Sequence, residues 1–222
     1  MTLPVGPALP GWRPPPLLGP TVLEGRYVTV SPLAERDFES LWESFADAGS
    51  DLWTYMSYGP FVDRADMERT ASAWIGSADP LFFTFDVEGA ARGWGAYLRI
   101  EPGHGVAEVG HLVFSPRLQR TPAATEAMYL MMRHVFELGY RRYEWKCDAL
   151  NAASRRAAER LGFTYEGTFR QHMVYKGRNR DTAWYSVIDA EWPKLRDAFE
   201  GWLDPSNFDS QGRQRRRLAD FR

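Results

Sequence analysis

The stretch from Ser115 to Phe163 constrains this chain most, because a loop, a helix, a strand and a second helix follow one another in it without a break. The loop holds Gln119 and Arg120. Beyond it, Ala124, Ala127, Met128, Met131, Val135 and Leu138 recur at helical spacing, and Gly139 stops the helix. Tyr143, Trp145 and Cys147 then alternate with Arg142, Glu144, Lys146 and Asp148, the period of a strand. Asn151 caps a second helix carrying Ala157, Ala158 and Leu161, and Gly162 ends it. Two polar helix starts thus lie one strand apart. In parallel sheets ligands bind where strands end and helices begin, because unpaired N–H groups point there. That geometry suits a diphosphate.

The flanks read as one α/β unit around this centre. Residues 1–20 hold seven of the 15 prolines, which remove donors and favour extended chain, so an arm is expected there, disordered or draped on the surface. Leu23 to Val30 reads as a strand broken by Ser31-Pro32. A helix is expected over Leu33 to Ala46, then a Gly-, Ser- and aromatic-rich loop to Pro60, then a helix capped by Asp63 and reaching Ile75. Phe82 to Val87 and Gly93 to Ile100 form strands around a turn near Glu88-Gly89, and Val106 to Phe114 forms another after Pro102-Gly103. A long strand runs from Phe163 to Lys176, turns over Gly177 to Arg180 and returns over Thr182 to Ile188. A last helix begins near Pro193 and runs to about Trp202. Residues 204–222 are polar with Arg213, Arg215, Arg216 and Arg217 clustered, the pattern of a solvated, mobile end.

Composition excludes several classes. A net charge of −2 gives no general pull toward nucleic acid or a membrane surface. The single cysteine, Cys147, rules out an internal disulfide and reads as a core residue. No long apolar run or signal-peptide pattern is visible, so a cytoplasmic location is the expectation. No His or acidic cluster has metal-ligand spacing, so no metal is implied. Nine Trp, ten Tyr and thirteen Phe exceed ordinary usage; most are expected in the core and some along a substrate cleft.

The order QRTPAATEA, NAASRRAAERLGF and EGTFRQ resembles the GCN5-related N-acetyltransferase (GNAT) superfamily, and looks closest to its RimJ/RimL-type branch of ribosomal-protein N-terminal acetyltransferases. The resemblance covers Leu23 to Leu195 in plan and is specific from Gly110 to about Arg170. It implies an α+β fold, a GNAT-like α/β domain with a central mixed, mostly antiparallel twisted sheet flanked by helices, spanning 21–203 between the arm and the tail. It implies acetyl-CoA as cosubstrate, held by Leu112, Val113, Phe114, Gln119, Arg120, Thr121, Ala123, Ala124, Thr125, Asn151, Ser154 and Arg155. The family loop reads Gln/Arg-x-x-Gly-x-Gly/Ala; here Pro122 replaces the first glycine and removes one N–H, while suiting the first turn of a helix. In the resemblance Asn151 binds the pantetheine arm. Many members place a Tyr acid where this chain has Ala158, which leaves Ser154 as the proton donor to the departing thiolate.

Attack of a neutral amine on a thioester needs a base but no covalent intermediate. Glu108, on the strand before the loop, is the first candidate. His111 is the alternative, since it titrates in the right range, but strict alternation puts it on the opposite face from Glu108 unless a bulge intervenes. Glu144 and His172 are weaker candidates, and Glu166 and Arg170 fall beside the acceptor in the family reading. Each of these residues also has a plainer reading, a helix cap for Asn151 and Ser154 and a solvated strand position for the acids. The expected reaction is transfer of an acetyl group to a primary amine, a protein N-terminus or a small amine. A longer acyl donor, a non-catalytic CoA-binding module and an interaction domain are the competitors. The expected partners are acetyl-CoA and an amine of open identity, with a homodimer left open and neither membrane nor specific nucleic acid.

Overall fold

The computed structural model describes residues 3–222. Eight strands form one sheet: β1 (Leu23–Glu24), β2 (Thr29–Pro32), β3 (Leu81–Val87), β4 (Ala90–Glu101), β5 (Val106–Phe114), β6 (Arg142–Asp148), β7 (Thr164–Tyr175) and β8 (Arg178–Ile188). Their spatial order is β1-β2-β3-β4-β5-β6-β8-β7. Every neighbouring pair is antiparallel except β5 and β6, which run parallel. A parallel pair needs a crossover, and α3 (Pro122–Glu137) supplies it. The other helices are α1 (Phe38–Phe45), α2 (Arg64–Ser72), α4 (Ala152–Leu161) and α5 (Trp192–Leu203). Among the described residues no helix is long and apolar enough to cross a membrane.

The sheet divides the interior in two. On one face Phe83, Tyr97, Val109, Tyr143 and Tyr185 pack with α3, α4 and α5. α3 is buried nearly all round over Ala123 to Met132, as a helix apolar on all sides must be. The sheet covers one side, where the Tyr97 hydroxyl donates to the Met131 carbonyl at 2.9 Å. α5 covers another, stacking Trp192 on Phe136 at 5.2 Å. On the opposite face Phe82, Trp94, Ala96 and Val113 pack with α1, α2 and Trp53.

Four local expectations are corrected. Leu23 to Val30 is not one strand: the backbone turns between β1 and β2 because the buried Glu126 carboxylate accepts N–H bonds from Arg26, Tyr27 and Val28 at 3.0, 2.5 and 3.0 Å, and Pro32 lies within β2. α1 starts only at Phe38, after a single tight turn over Glu35–Asp37 in which Asp37 accepts the Ala34 N–H. α2 is capped by Asp63 as expected but ends at Ser72. The β7–β8 turn is tighter than Gly177 to Arg180, with β8 resuming at Arg178.

The ends pack as well. Along the arm Leu18 is buried, Tyr140 donates to the Pro16 carbonyl at 3.0 Å and Arg141 lies over Trp12; of the expected arm, residues 1 and 2 lie outside the described residues. The tail is anchored at several points, while Arg213, Arg215, Arg216 and Arg217 stay exposed as expected. Asn207 donates to the Trp202 and Arg216 carbonyls, Trp202 donates to Gln214, and Leu218 is buried. Those contacts use backbone carbonyls, the Gln214 amide and one leucine, which a reading based on charge overlooks.

Candidate active site

β5 and β6 pair only from Val106↔Arg142 to Val109↔Trp145, although both strands continue. Beyond that point they part, and the β6-facing backbone of β5 from Gly110 to Phe114 has no strand partner. At the parting β5 bulges: Trp94 pairs with Val113 and Ala96 with Gly110, so Gly95 alone opposes His111 and Leu112. A Cβ on Gly95 would meet the side-chain ends of Leu112 and Phe85 at 2.7 and 2.8 Å, so a larger residue there would have to displace them. His111 takes the left-handed region at φ 52, a conformation that non-glycine residues adopt mainly at functional or strained positions.

The loop after β5 and the start of α3 form one wall of this cleft. Gln119 donates to the Phe114 carbonyl at 2.8 Å and so ties the loop to the end of β5. Arg120 is exposed with φ 62. Thr121 is the N-cap, accepting from the Ala124 N–H at 3.2 Å, and Pro122 occupies the first turn. Thr125 is buried and accepts from Arg160 of α4 at 3.1 Å, so its hydroxyl bridges the two helices. Leu112 and Phe114 turn their side chains toward the α3 side of the sheet, and Val113 turns toward α1.

The start of α4 forms the other wall. Asn151 Oδ1 accepts from the Ser154 N–H at 3.0 Å, so Asn151 is a genuine cap. Ser154 Oγ accepts from the Trp145 indole at 3.0 Å, and its own proton is directed to the neighbouring Cys147 sulfur, from which it can turn to another acceptor. Gly162 ends the helix at φ 98. Arg155 is spent elsewhere in the packing: its guanidinium donates to the Tyr185 hydroxyl at 3.0 Å and to the Ala149 carbonyl.

On the α1/α2 face of the cleft the candidate bases meet. Glu108 pairs in register with Leu98, two positions from Ala96 and Phe82, so it belongs to this face. The bulge rotates His111 onto the same face, where its ring lies 4.9 Å from Phe82 and stacks on Tyr58 at 5.8 Å. The bulge that strict alternation required for both to face one side is thus present. Glu108 is buried, with Lys146 Nζ at 2.7 Å and Arg99 Nε at 3.4 Å, both on Oε2. Burial pushes its carboxyl up to about 7 against the pull of both cations. Burial drives His111 down to about 4, which leaves it neutral near pH 7. Of the weaker candidates, Glu144 is buried beside Arg142 at 2.7 Å, and Arg142 also holds Glu166. His172 lies farther along β7, bonded to Thr182 at 3.0 Å.

A family model described as an acetyltransferase (GNAT) domain matches residues 28–164. The chain belongs to the GNAT acetyltransferases. It is similar to a solved GCN5-related N-acetyltransferase from Brucella melitensis, with 46% identity and a TM-score of 0.94 over 96% of this chain and 99% of that one. It is also similar to a GNAT-family protein from Chromobacterium violaceum, with 39% identity and a TM-score of 0.80 over 86% and 98% of the two chains. The fold extends to Mycobacterium smegmatis RimJ, solved in complex with CoA-disulfide, at 17% identity and a TM-score of 0.68 over 78% and 90%. No curated protein matches.

Several residues that shape this GNAT site escaped the sequence reading. Lys146 and Arg99 flank Glu108, and both lie over the Trp184 ring, at 4.6 and 5.2 Å. Lys176 donates to the carbonyls of Trp53, Tyr58 and Gly59, and Tyr55 donates to Leu150. The aromatic loop is thereby pinned across the cleft. The signal available for Lys146 was its place among Glu144 and Asp148 on the alternate positions of a strand at the centre of the fold. Such a row of charges must be paired if it is buried.

Proposed function

We propose that this acetyltransferase moves an acetyl group from acetyl-CoA directly to a primary amine, a protein N-terminus or a small amine. The single observation that carries the reading is the parting of β5 from β6 between the capped starts of α3 and α4. The residues present fit the cosubstrate. N–H groups at the start of α3 suit its diphosphate, and the unpaired edge of β5 offers partners to the amides of its pantetheine arm. Pro122 subtracts one N–H, and Arg120 and the Thr121 hydroxyl stand beside it. On the same fold, the RimJ neighbour holds CoA-disulfide, and the MccE acetyltransferase was solved with acetyl-CoA and AMP.

The bound cosubstrate supplies an activated acyl carbon and a thiolate leaving group. Glu108 takes the proton of the incoming amine through Oε1, directly or by way of water, since Oε2 is engaged by both cations. A base with a pKa near the working pH is best matched to that task. His111 is neutral and weakly basic, and together with Tyr58 it forms a wall of the acceptor cleft. As the amine nitrogen bonds to the acyl carbon and the carbon–sulfur bond breaks, the Ser154 hydroxyl donates a hydrogen bond that stabilises the departing thiolate, which takes its proton from solvent while the amine's proton rests on Glu108.

A thermal-shift titration tests cofactor binding. CoA or acetyl-CoA at a hundred times its dissociation constant stabilises the fold by about 2.7 kcal/mol. No shift at millimolar CoA overturns the reading. Thiol release with a panel of peptides and small amines then separates catalysis from mere CoA binding.

A further inference from the structure

Beyond Trp184 the same face of β8 carries Arg180, four positions along the strand and therefore roughly 13 Å away. It lies two positions past the end of β6, since Asp148 pairs with Thr182. There the β7–β8 hairpin meets the aromatic loop that spans the cleft. Lys176 and Tyr175 reach from the hairpin to the aromatic loop and to Asp148, and Tyr55 reaches from the loop to Leu150.

Arg180 is half-buried, its Nε is fully enclosed without a hydrogen-bond partner, and it lies over the Tyr175 ring at 5.7 Å. Among the described residues it has no carboxylate within ion-pair distance. The neighbouring acids are already engaged. Asp148 accepts from the Leu150 N–H and the Tyr175 hydroxyl, and Asp181 accepts from the Gln171 N–H and the Asn179 amide. Trp184, which carries Lys146 and Arg99 over its ring, is 9% exposed and its indole N–H also has no partner. His172 feels Lys146, Arg180 and Arg99 together, each of which adds to the lowering that its own desolvation begins. Glu108 is the acid that pairs with Lys146 and Arg99 at the inner end, and among the described residues no carboxylate pairs directly with Arg180 at the outer end. A guanidinium left half-desolvated without an anion is costly, whereas the same group is well suited to grip a carboxylate with two parallel bonds.

We propose that the acceptor is a peptide amine with an acidic side chain a few residues behind it, the amine reaching Glu108 and the carboxylate reaching Arg180. This rests on the acetyl-transfer reading and names its substrate class. By way of Glu144, Glu108 lies level with Ser186, six positions and therefore roughly 20 Å along β8 from Arg180; less the reach of the Glu108, Arg180 and substrate side chains, that leaves about three residues of extended peptide, so the acidic residue falls near the third position.

The test uses the full-length protein and peptides of one neutral sequence with a single Glu placed at positions two to five, each beside its Gln counterpart, with glutamate as a free small amine for comparison. Thiol release from acetyl-CoA is the readout. The expected result is a KM lower by roughly tenfold for one Glu position near the third than for its Gln partner, with kcat little changed and the preference shrinking at high salt. Arg180→Gln removes that preference and leaves the Gln peptides unaffected, and Arg180→Lys retains part of it. Equal KM values for Glu and Gln peptides in the wild-type protein overturn the proposal while leaving acetyl transfer intact, and that comparison holds even if Arg180→Gln does not fold. A preference for free glutamate over every peptide overturns it too. Absence of thiol release with every amine counts instead against the transfer reaction itself.

Discussion

Glu108 and His111 face the same side of the sheet although three positions separate them on one strand. The left-handed backbone of His111 and the single opposing Gly95 produce this. One bulge therefore places a carboxyl raised by burial and an imidazole lowered by burial on one wall of one cleft. Titratable groups whose environments push them apart in pKa are a common arrangement in acid–base sites.

Glu108 as base gives a pH signature. In the wild-type protein the acidic limb of kcat falls near pH 7, where the carboxyl titrates. Glu108→Gln lowers kcat by about 10²–10⁴-fold on the plateau just above that limb, abolishes the limb itself, and recovers partly at higher pH, where more of the amine is free. Lys146→Met removes a cation that holds the carboxyl down, so the limb moves upward. Rate–pH profiles of folded variants check both, and an unmoved limb in Lys146→Met removes Glu108 from the mechanism.

Ser154→Ala lowers kcat by roughly tenfold or less, because a thiolate already leaves tolerably, and leaves KM for acetyl-CoA near its original value. It also strands the Trp145 indole, which costs about 1–3 kcal/mol of stability. Ser154→Ala combined with Trp145→Phe regains part of that stability and none of the rate. Melting curves and single-turnover rates separate the two roles.

Asn151 caps α4, and in the proposed function it also binds the pantetheine arm. Asn151→Ala loses about 1 kcal/mol from the cap and raises KM for acetyl-CoA. Asn151→Asp keeps a capping oxygen and most of the stability, yet lacks the amide donor, so its KM still rises. Unchanged acetyl-CoA kinetics in Asn151→Asp would leave this residue a cap alone.

His111 couples stability to acid. Its folded pKa of about 4 lies below the ordinary imidazole value of 6.5, so the unfolded chain binds more protons between those limits. Stability is full above pH 6.5 and falls by at most about 3 kcal/mol as the pH drops to 4. Glu108, raised from 4.5 to about 7, acts with the opposite sign: its contribution is present at low pH and is lost as pH rises through 7. In His111→Phe the gain in stability from pH 4 to 6.5 therefore disappears or reverses. Urea unfolding across that range measures it, and an unaltered slope refutes the assignment.

The sequence by itself determined what depends on near neighbours along the chain. Thr121 and Asn151 cap helices through an N–H three residues on, Gly162 stops one with a left-handed backbone, and the period of two from Arg142 to Asp148 marks a strand. These outcomes rest on contacts within one turn or one pleat, and they located both walls of the cleft. Only the tertiary structure decided which way the walls face and what charges stand in them. The bulge at His111 arises from a mismatch between two strands, which alternation along one strand cannot register. Glu108 owes its raised pKa to burial and to cations from β4 and β6, and Arg180 is left without an acid by the way β7, β8 and the aromatic loop close around it. The packed tail depends in the same way on Trp202 and Asn207 finding partners across a turn. Register, burial and charge balance are set by residues remote in sequence and close in space, and so they become visible only once the chain is folded.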